Sequence, residues 1–126
     1  MQLSVFQNKY RIDSLEKLRS LLTHRHEEKY GAFRLSKGKQ NEPALELYIN
    51  DDQACMFFYR EAGDPGFHSF RSDSENLSKE IGFLIVNYQL DYYLPGMVVP
   101  TPQAVAAFEE FFETGAQPAA VRWHEL

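Results

Sequence analysis

The middle of the chain alternates between apolar and polar positions, and this pattern predicts a β-sheet. Leu45, Leu47 and Ile49 are separated by single residues, which is typical of a strand with one buried face. Residues 54–59 are apolar on both faces, as expected for a central strand that is covered on both sides. The same criteria predict shorter strands over residues 2–10, 32–36, 67–70, 81–86 and 121–123.

A first helix is predicted over residues 13–26. Asp13 can accept hydrogen bonds from backbone N–H groups as the N-cap residue, and Glu16 can reach back to complete a capping box. The helix is expected to end before Gly31. Its apolar stripe consists of leucines at helical spacing, Leu15, Leu18, Leu21 and Leu22.

A second helix is predicted over residues 101–114. Thr101 is the expected N-cap residue, and Pro102 takes the first helical position, where its missing N–H costs nothing. Gly115 supplies a left-handed stop at the C-terminal end. The apolar face of this helix comprises Val105, Phe108, Phe111 and Phe112.

The order of these elements predicts the α+β fold class. We expect an antiparallel β-sheet packed by two helices, at about residues 13–26 and 101–114. Residues 50–53 have the composition of a hairpin turn, and residues 71–80 are polar enough to form a loop. A length of 126 residues suits one domain, so residues 1–126 are predicted to form a single α+β unit.

Composition excludes several classes of protein. The chain is 44% hydrophobic and 14% aromatic, which argues against disorder. No apolar run approaches the roughly 18 residues of a membrane helix, and the first residues lack the apolar segment of a signal peptide. The lone Cys55 rules out an intrachain disulfide. We therefore expect a cytoplasmic protein that does not interact with a membrane.

Charge is distributed unevenly along the chain. The net charge of −5 disfavours nucleic acid as a direct partner, because binding to phosphates needs a basic surface. Residues 1–42 carry nine basic and five acidic side chains, whereas residues 43–126 carry four basic and thirteen acidic ones. Either this asymmetry is an ordinary solvated surface, or it forms an acidic face for a basic protein partner.

The histidines and the single cysteine are the candidates for metal or nucleophilic chemistry. His24 and His26 point in nearly opposite directions if that segment is helical, so they cannot share a metal. Cys55 lies in an apolar strand, where a small buried side chain is the favoured role. Asp51 and Asp52 fit a hairpin turn better than a paired carboxylate site. We predict no metal, no cofactor and no catalysis, with a small enzyme as the least favoured alternative.

Two groups of residues are candidates for contact with a partner. Glu109, Glu110 and Glu113 crowd the C-terminal half of the second helix, where the helix dipole favours cations. They form either a solvated outer face or an acidic docking surface. Tyr92 and Tyr93 flank Asp91 together with Tyr88 in a predicted loop before Leu94, and are either interface anchors or ordinary packing residues at a sheet edge.

The last third of the chain resembles the closing segment of bacterial immunity proteins that accompany deaminase-type polymorphic toxins. The segment is LPGMVVPTPQAVAAFEEFFETGAQPAAVRWHEL. In it a Val99–Pro100 step opens the final helix, whose aromatic run ends at Thr114–Gly115. Pro118 then leads to Trp123, the terminal tryptophan. The order of the earlier elements is also similar to that family.

The resemblance implies an α+β immunity-protein domain with a binding role and no catalytic residues. Its partner is expected to be one copy of a cognate secreted or contact-delivered toxin, and its action to be a block of the toxin's active-site cleft. The alternative is a non-catalytic adaptor or a chaperone-like module for a secreted effector. The loops 50–53, 61–75 and 87–93 are expected to set specificity. Our predicted contact residues are Asp51, Asp52, Glu61, Asp64, Asp73, Glu75, Asp91, Tyr92, Tyr93, Glu109, Glu110 and Glu113.

Overall fold

One antiparallel sheet organises the fold, with helices on one face and a separate hairpin on the other. The computed structural model describes residues 1–37, 42–71 and 79–126. The elements are β1 (Gln2–Val5), β2 (Asn8–Arg11), α1 (Leu15–Leu22), β3 (Tyr30–Ser36), β4 (Ala44–Asn50), β5 (Gln53–Tyr59), β6 (Phe67–Phe70), β7 (Ile81–Leu84), β8 (Leu90–Tyr93), a 3-10 turn (Pro95–Met97), β9 (Val98–Pro100), α2 (Thr101–Thr114) and β10 (Arg122–Glu125). The α+β fold class is confirmed.

Among the described residues the main sheet runs β10-β6-β5-β4-β3-β1-β2, and β9 pairs with the end of β5. Every pair in it is antiparallel. β7 and β8 pair only with each other and form a second, two-stranded sheet. The β7–β8 hairpin packs on β4 and β3, so it covers part of the face that the helices leave open.

The centre of the core lies on β4 and β5, as their apolar patterns predicted. Leu45, Leu47 and Ile49 are fully buried, and Leu45 and Leu47 lie opposite Phe58 and Met56 of β5. The connecting turn at residues 51–52 is tight, and Asp51 adopts a left-handed φ of 54° there. Aspartate tolerates that conformation better than most residues, so the turn prediction is confirmed.

α2 packs across β4 and β5 through a face that differs slightly from the predicted one. Phe108 and Phe111 are fully buried as expected, whereas Val105 and Phe112 are only partly buried. Ala104 and Ala107 complete the buried face, because their small side chains let the helix approach the sheet closely. Gly115 ends the helix at a left-handed φ of 68°, as predicted, and its N–H donates to the Phe111 carbonyl at 2.7 Å.

The predicted boundaries of the first helix are wrong at both ends. Ser14, and not Asp13, is the N-cap residue, since its side chain accepts a hydrogen bond from the Lys17 N–H at 3.1 Å. The helix ends at Leu22 instead of residue 26. The chain then turns tightly through positive φ values at Glu27 and Glu28 before it enters β3, and a continuing helix cannot adopt those angles.

The start of α2 also differs from the prediction. Pro100 is the flanking N-cap residue, and Thr101 is already helical. Thr101 caps no helix N–H within the described chain. Its N–H donates to the Asp52 carbonyl at 2.9 Å, and its hydroxyl donates to the Asp51 carbonyl at 3.1 Å. These two hydrogen bonds join the beginning of α2 to the β4–β5 turn.

Three strand predictions need correction. Residues 2–10 form two strands rather than one, because Phe6 adopts a left-handed φ of 52° and turns the chain back. The loop predicted over residues 87–93 contains β8, which pairs with β7. β7 itself ends at Leu84, short of the predicted residue 86.

Within the described part of the chain, neither helix is both long and apolar enough to span a bilayer.

Candidate partner-binding surface

The predicted contact residues lie on several separate parts of the molecule. Asp51 and Asp52 form the exposed β4–β5 turn beside the start of α2. Their carboxylates make no hydrogen bond or ion pair with any described residue, although their carbonyl groups hold Thr101. Asp73 and Glu75 lie outside the described residues. The turn therefore presents two negative charges to solvent.

Asp64 shapes the turn between β5 and β6. Its carboxylate accepts from the Arg60 N–H at 2.9 Å, from the Arg60 side chain at 3.0 and 3.1 Å, and from the Gly66 N–H at 3.1 Å. The side chain is only 3% exposed. The Arg60 side chain and the two N–H donors hold the pKa of Asp64 well below its usual range. Its charge is thus engaged within the fold, whereas the neighbouring Glu61 is exposed.

We expect Asp64→Asn to make stability less dependent on acid pH. The carboxylate has a lowered pKa in the folded state, so its contribution to stability is fully present above the ordinary value of about 4, declines below that value, and is lost only as pH falls through the lowered pKa. Urea unfolding at pH 7 and pH 3 measures this effect. The difference in free energy of unfolding between the two proteins should be largest at pH 7 and smaller at pH 3, and an equal difference at both values would contradict the assignment.

The acidic half of α2 contains two engaged carboxylates and one exposed carboxylate. Glu109 accepts from Arg19 of α1 at 2.9 Å and so links the two helices. Glu110 accepts from the N–H groups of Ala119 and Ala120, at 2.6 and 3.2 Å, and fixes the segment that leads into β10. Glu113 is exposed, and its carboxylate makes no hydrogen bond or ion pair with another described residue.

The tyrosines of β8 point to opposite sides of the hairpin. Tyr93 packs on Phe57 and Phe83, with ring centroids 5.4 and 6.0 Å away, and its hydroxyl donates to Asp91 at 3.4 Å. Burial, together with the negative charge of Asp91, raises the pKa of Tyr93. Tyr92 points outward and is 57% exposed. Of this group, therefore, Tyr92 offers the most accessible side chain.

An apolar surface surrounds Tyr92, and sequence reasoning did not identify it as a unit. Because β8 was predicted as loop, nothing in the sequence pattern aligned its outward side chains with those of β7. Most of the large apolar side chains that are exposed in the described structure belong to this region. They are Val86, Tyr88, Leu90, Tyr92 and Leu94.

The tip of the β7–β8 hairpin is held against the β1–β2 turn by aromatic stacking. The rings of Tyr88 and Phe6 are parallel within 1°, with centroids 4.8 Å apart, and His26 packs beside both. Both Tyr88 and Phe6 adopt left-handed φ values, 62° and 52°. Such conformations cost energy in aromatic residues and persist only where surrounding contacts hold them. Neither position is occupied by the glycine or asparagine that usually indicates such a backbone conformation.

Next to the hairpin, the open face of the sheet carries a polar groove of about 320 Å³. Arg34 and Glu46 form an ion pair at 3.0 Å across β3 and β4, and Tyr59 and Glu61 also line the groove. Burial and the charge of Glu46 raise the pKa of Tyr59 to about 12. Of the residues that line this groove, Glu61 and Asp64 were predicted as contacts. Arg34 and Glu46 were not, although they alternate with buried residues as an exposed face requires.

The single cysteine and two of the histidines pack against other side chains of the fold. Cys55 is fully buried, as predicted, and burial raises the pKa of its thiol to about 12, so it is not a thiolate at neutral pH. His24 and His26 both pack against Phe6. Within residues 1–37, 42–71 and 79–126, no three His, Cys, Asp or Glu side chains are grouped to hold a metal ion.

The fold and these surfaces define a small α+β protein that exposes acidic turns and an aromatic hairpin. The family model described as "Immunity protein Imm1" matches residues 8–125, and the chain belongs to this family of immunity proteins. No curated protein matches the chain. The match extends from β2 to the end of β10, so it includes both helices, the β4–β5 turn and the β7–β8 hairpin.

Proposed function

We propose that this protein protects the producing cell by binding a cognate toxin, a nucleic-acid deaminase, one to one in the cytoplasm. Membership of the immunity protein family carries this proposal. The acidic composition of residues 43–126 supports it further, because an enzyme that acts on nucleic acid needs a basic surface for phosphates. An acidic inhibitor has a charge complementary to such a surface.

Inhibition in this proposal is by occlusion. Deaminases of this kind use a zinc-activated water in a pocket that admits a flipped or single-stranded base. A protein that covers the cleft prevents entry of the base and requires no chemistry of its own.

The exposed predicted residues are the proposed direct contacts. Asp51, Asp52, Glu61, Tyr92 and Glu113 have accessible side chains that make no ion pair with another described residue. Asp73 and Glu75 stay in the proposed set. The other predicted residues have side chains that bind partners within the fold, and we propose that they act indirectly, by fixing the shape of the contact surface. They are Asp64, Asp91, Tyr93, Glu109 and Glu110.

Co-expression with the neighbouring reading frame tests the proposal. The C-terminal domain of that neighbour is expressed in a host with and without this protein, and viability and base conversion in host DNA and RNA are measured. We expect the domain to be toxic alone and both toxicity and conversion to disappear with this protein. Rescue without any conversion would retain the immunity role and exclude the deaminase. A neighbour that is harmless alone would contradict the proposal and favour an adaptor.

Charge-reversed variants give this experiment a matched control. Asp52→Lys combined with Glu61→Lys changes two exposed acidic side chains of the proposed surface. Asp13→Lys combined with Glu28→Lys changes two exposed acidic side chains in the more basic part of the chain, and so alters the net charge by the same amount. Only the first variant should weaken rescue, because electrostatic steering depends on the charge near the contact. Equal effects of the two variants would argue against these contacts.

A further inference from the structure

The outer edge of β8 is a row of backbone groups with no partner among the described strands. β7 and β8 pair in the register Phe83↔Asp91 and Gly82↔Tyr92, and the Ile85 N–H donates to the Gln89 carbonyl at 2.9 Å. Hydrogen-bonded pairs alternate with non-bonded ones in an antiparallel ladder. Asp91 therefore directs its backbone groups toward β7, whereas Leu90 and Tyr92 direct theirs away from it.

The β2 edge of the main sheet is protected in a way that the edge of β8 is not. At β2, Met1 and Ile12 exchange backbone hydrogen bonds, so the same alternation directs the backbone groups of Lys9 and Arg11 outward. Cationic side chains at such positions discourage another strand from pairing. β8 has leucine and tyrosine at its outward positions, and it contains neither lysine nor proline.

The side chains of the two outward positions form an apolar contact face. Leu90 and Tyr92 are 40% and 57% exposed and flank Gly82 of β7. A Cβ atom on Gly82 would lie 3.1 Å from Cε1 of Tyr92 and 3.4 Å from Cδ1 of Leu90. Because Gly82 has no side chain, the Tyr92 ring can pack closely against this face of the hairpin. A flat apolar face and a free strand edge occur together at this site.

The hairpin is fixed in place before any partner binds. Tyr88 stacks on Phe6 at its tip, and the Asn50 amide donates to the Gly82 carbonyl at 2.7 Å at its other end. Tyr93 packs on Phe57 beneath it. A surface that is already ordered loses little conformational entropy on binding. This distinguishes β8 from an exposed apolar segment on a loop.

We propose that an edge strand of the toxin domain pairs with β8, bonding to the backbone of Leu90 and Tyr92 and covering their side chains. This inference rests on the proposed function. Strand addition of this kind takes its affinity from main-chain hydrogen bonds and its specificity from side chains. Asn50 places the exposed Asp51 and Asp52 near the Gly82 end of the hairpin. The matching toxin strand is accordingly apolar at its centre and carries lysine or arginine toward that end.

Amide hydrogen exchange measured by NMR tests the pairing directly. In the free protein, the Leu90 and Tyr92 amides should exchange fast, while the Asp91 amide, which donates within the hairpin, should be slower and serves as an internal control. Binding of the toxin domain should slow exchange at Leu90 and Tyr92. Fast exchange at both in an inhibited complex would overturn the pairing and leave the proposed function intact. Slow exchange in the free protein at every concentration would also overturn it.

Variants separate the backbone contribution from that of the side chain. Tyr92→Ala should weaken toxin binding about thirtyfold, as for a central aromatic anchor. Tyr92→Pro also removes the outward N–H and should weaken binding by about a further tenfold. Lys9→Pro, at an outward position of β2, is the matched control and should bind normally. Equal affinities of Tyr92→Ala and Tyr92→Pro would contradict backbone pairing.

A second copy of this chain is the alternative occupant of the β8 edge. Protection of Leu90 and Tyr92 that rises with protein concentration in the absence of toxin would assign the edge to a second copy of the chain, and would overturn the proposal. A protein that fails to inhibit any toxin domain in co-expression would instead contradict the proposed function. The two failures are therefore distinguishable.

Discussion

Phe111→Ala is expected to lower the free energy of unfolding by about 3–5 kcal/mol, the range for removing a fully buried phenylalanine. Phe111 lies on the inner face of α2, and its ring meets Phe58 of β5 edge-on at a centroid distance of 6.0 Å. Phe58 also packs against Trp123 near the end of the chain. Removal of the Phe111 ring therefore leaves a cavity where the helix, the sheet and β10 meet.

Urea unfolding at neutral pH measures this loss. Phe112→Ala is the matched control, because the adjacent side chain is only partly buried and its removal should cost clearly less. Equal losses for the two variants would contradict the orientation of α2. That orientation determines which residues of the helix face a partner, so the comparison also bears on the role of Glu113.

Glu110→Ala is expected to lower the free energy of unfolding by about 1–3 kcal/mol, because it leaves two backbone N–H groups without their charged acceptor. These groups belong to Ala119 and Ala120, which precede β10. β10 pairs only with β6 among the described strands. Loss of this anchor should therefore free the C-terminal segment before the rest of the sheet unfolds.

Two measurements follow the effect of Glu110. Chemical unfolding gives the change in stability, and amide exchange of residues 122–125 reports the local release of β10. Glu113→Ala removes a carboxylate from the same half of the helix that has no backbone partner in the described structure, and it should leave both measurements unchanged. Similar losses for Glu110→Ala and Glu113→Ala would contradict a structural role for Glu110.

The alternation of apolar residues was sufficient to predict the central part of the fold. β4 and β5 form where Leu45, Leu47 and Ile49 alternate with less buried neighbours, and the Asp51–Asp52 turn joins them. Periodicity is informative there because burial on one face depends on spacing alone. α2 was predictable for the same reason, and Gly115 marks its end by a backbone conformation that glycine favours.

Elements that depend on distant contacts could not be predicted from local pattern. Phe6 and Tyr88 turn the chain through left-handed conformations that their own side chains disfavour, and each is held by the ring of the other. The local sequence pattern therefore predicted a loop where the structure contains β8. Choosing between Asp13 and Ser14 as N-cap required the actual geometry, since both residue types are good caps.

The candidate contact residues were likewise predictable only in part. Sequence composition identified the acidic character of residues 43–126, but it could not separate exposed carboxylates from engaged ones. Asp64 and Glu110 bind backbone N–H groups within the fold, whereas Asp52 and Glu113 are exposed. A charge in the sequence indicates only that a partner or solvent is needed, and the fold determines which of the two it is.

Titration of a purified toxin domain with this protein tests the central claim most directly. Toxin activity is measured at a fixed toxin concentration well above the dissociation constant while the protein is added in steps. An inhibitor that binds one to one should lower the activity linearly to its minimum at equal molar amounts. Complete inactivation of the toxin by much less than one molar equivalent of this protein would indicate that the protein destroys the toxin catalytically. Full toxin activity in the presence of excess protein would contradict an immunity role.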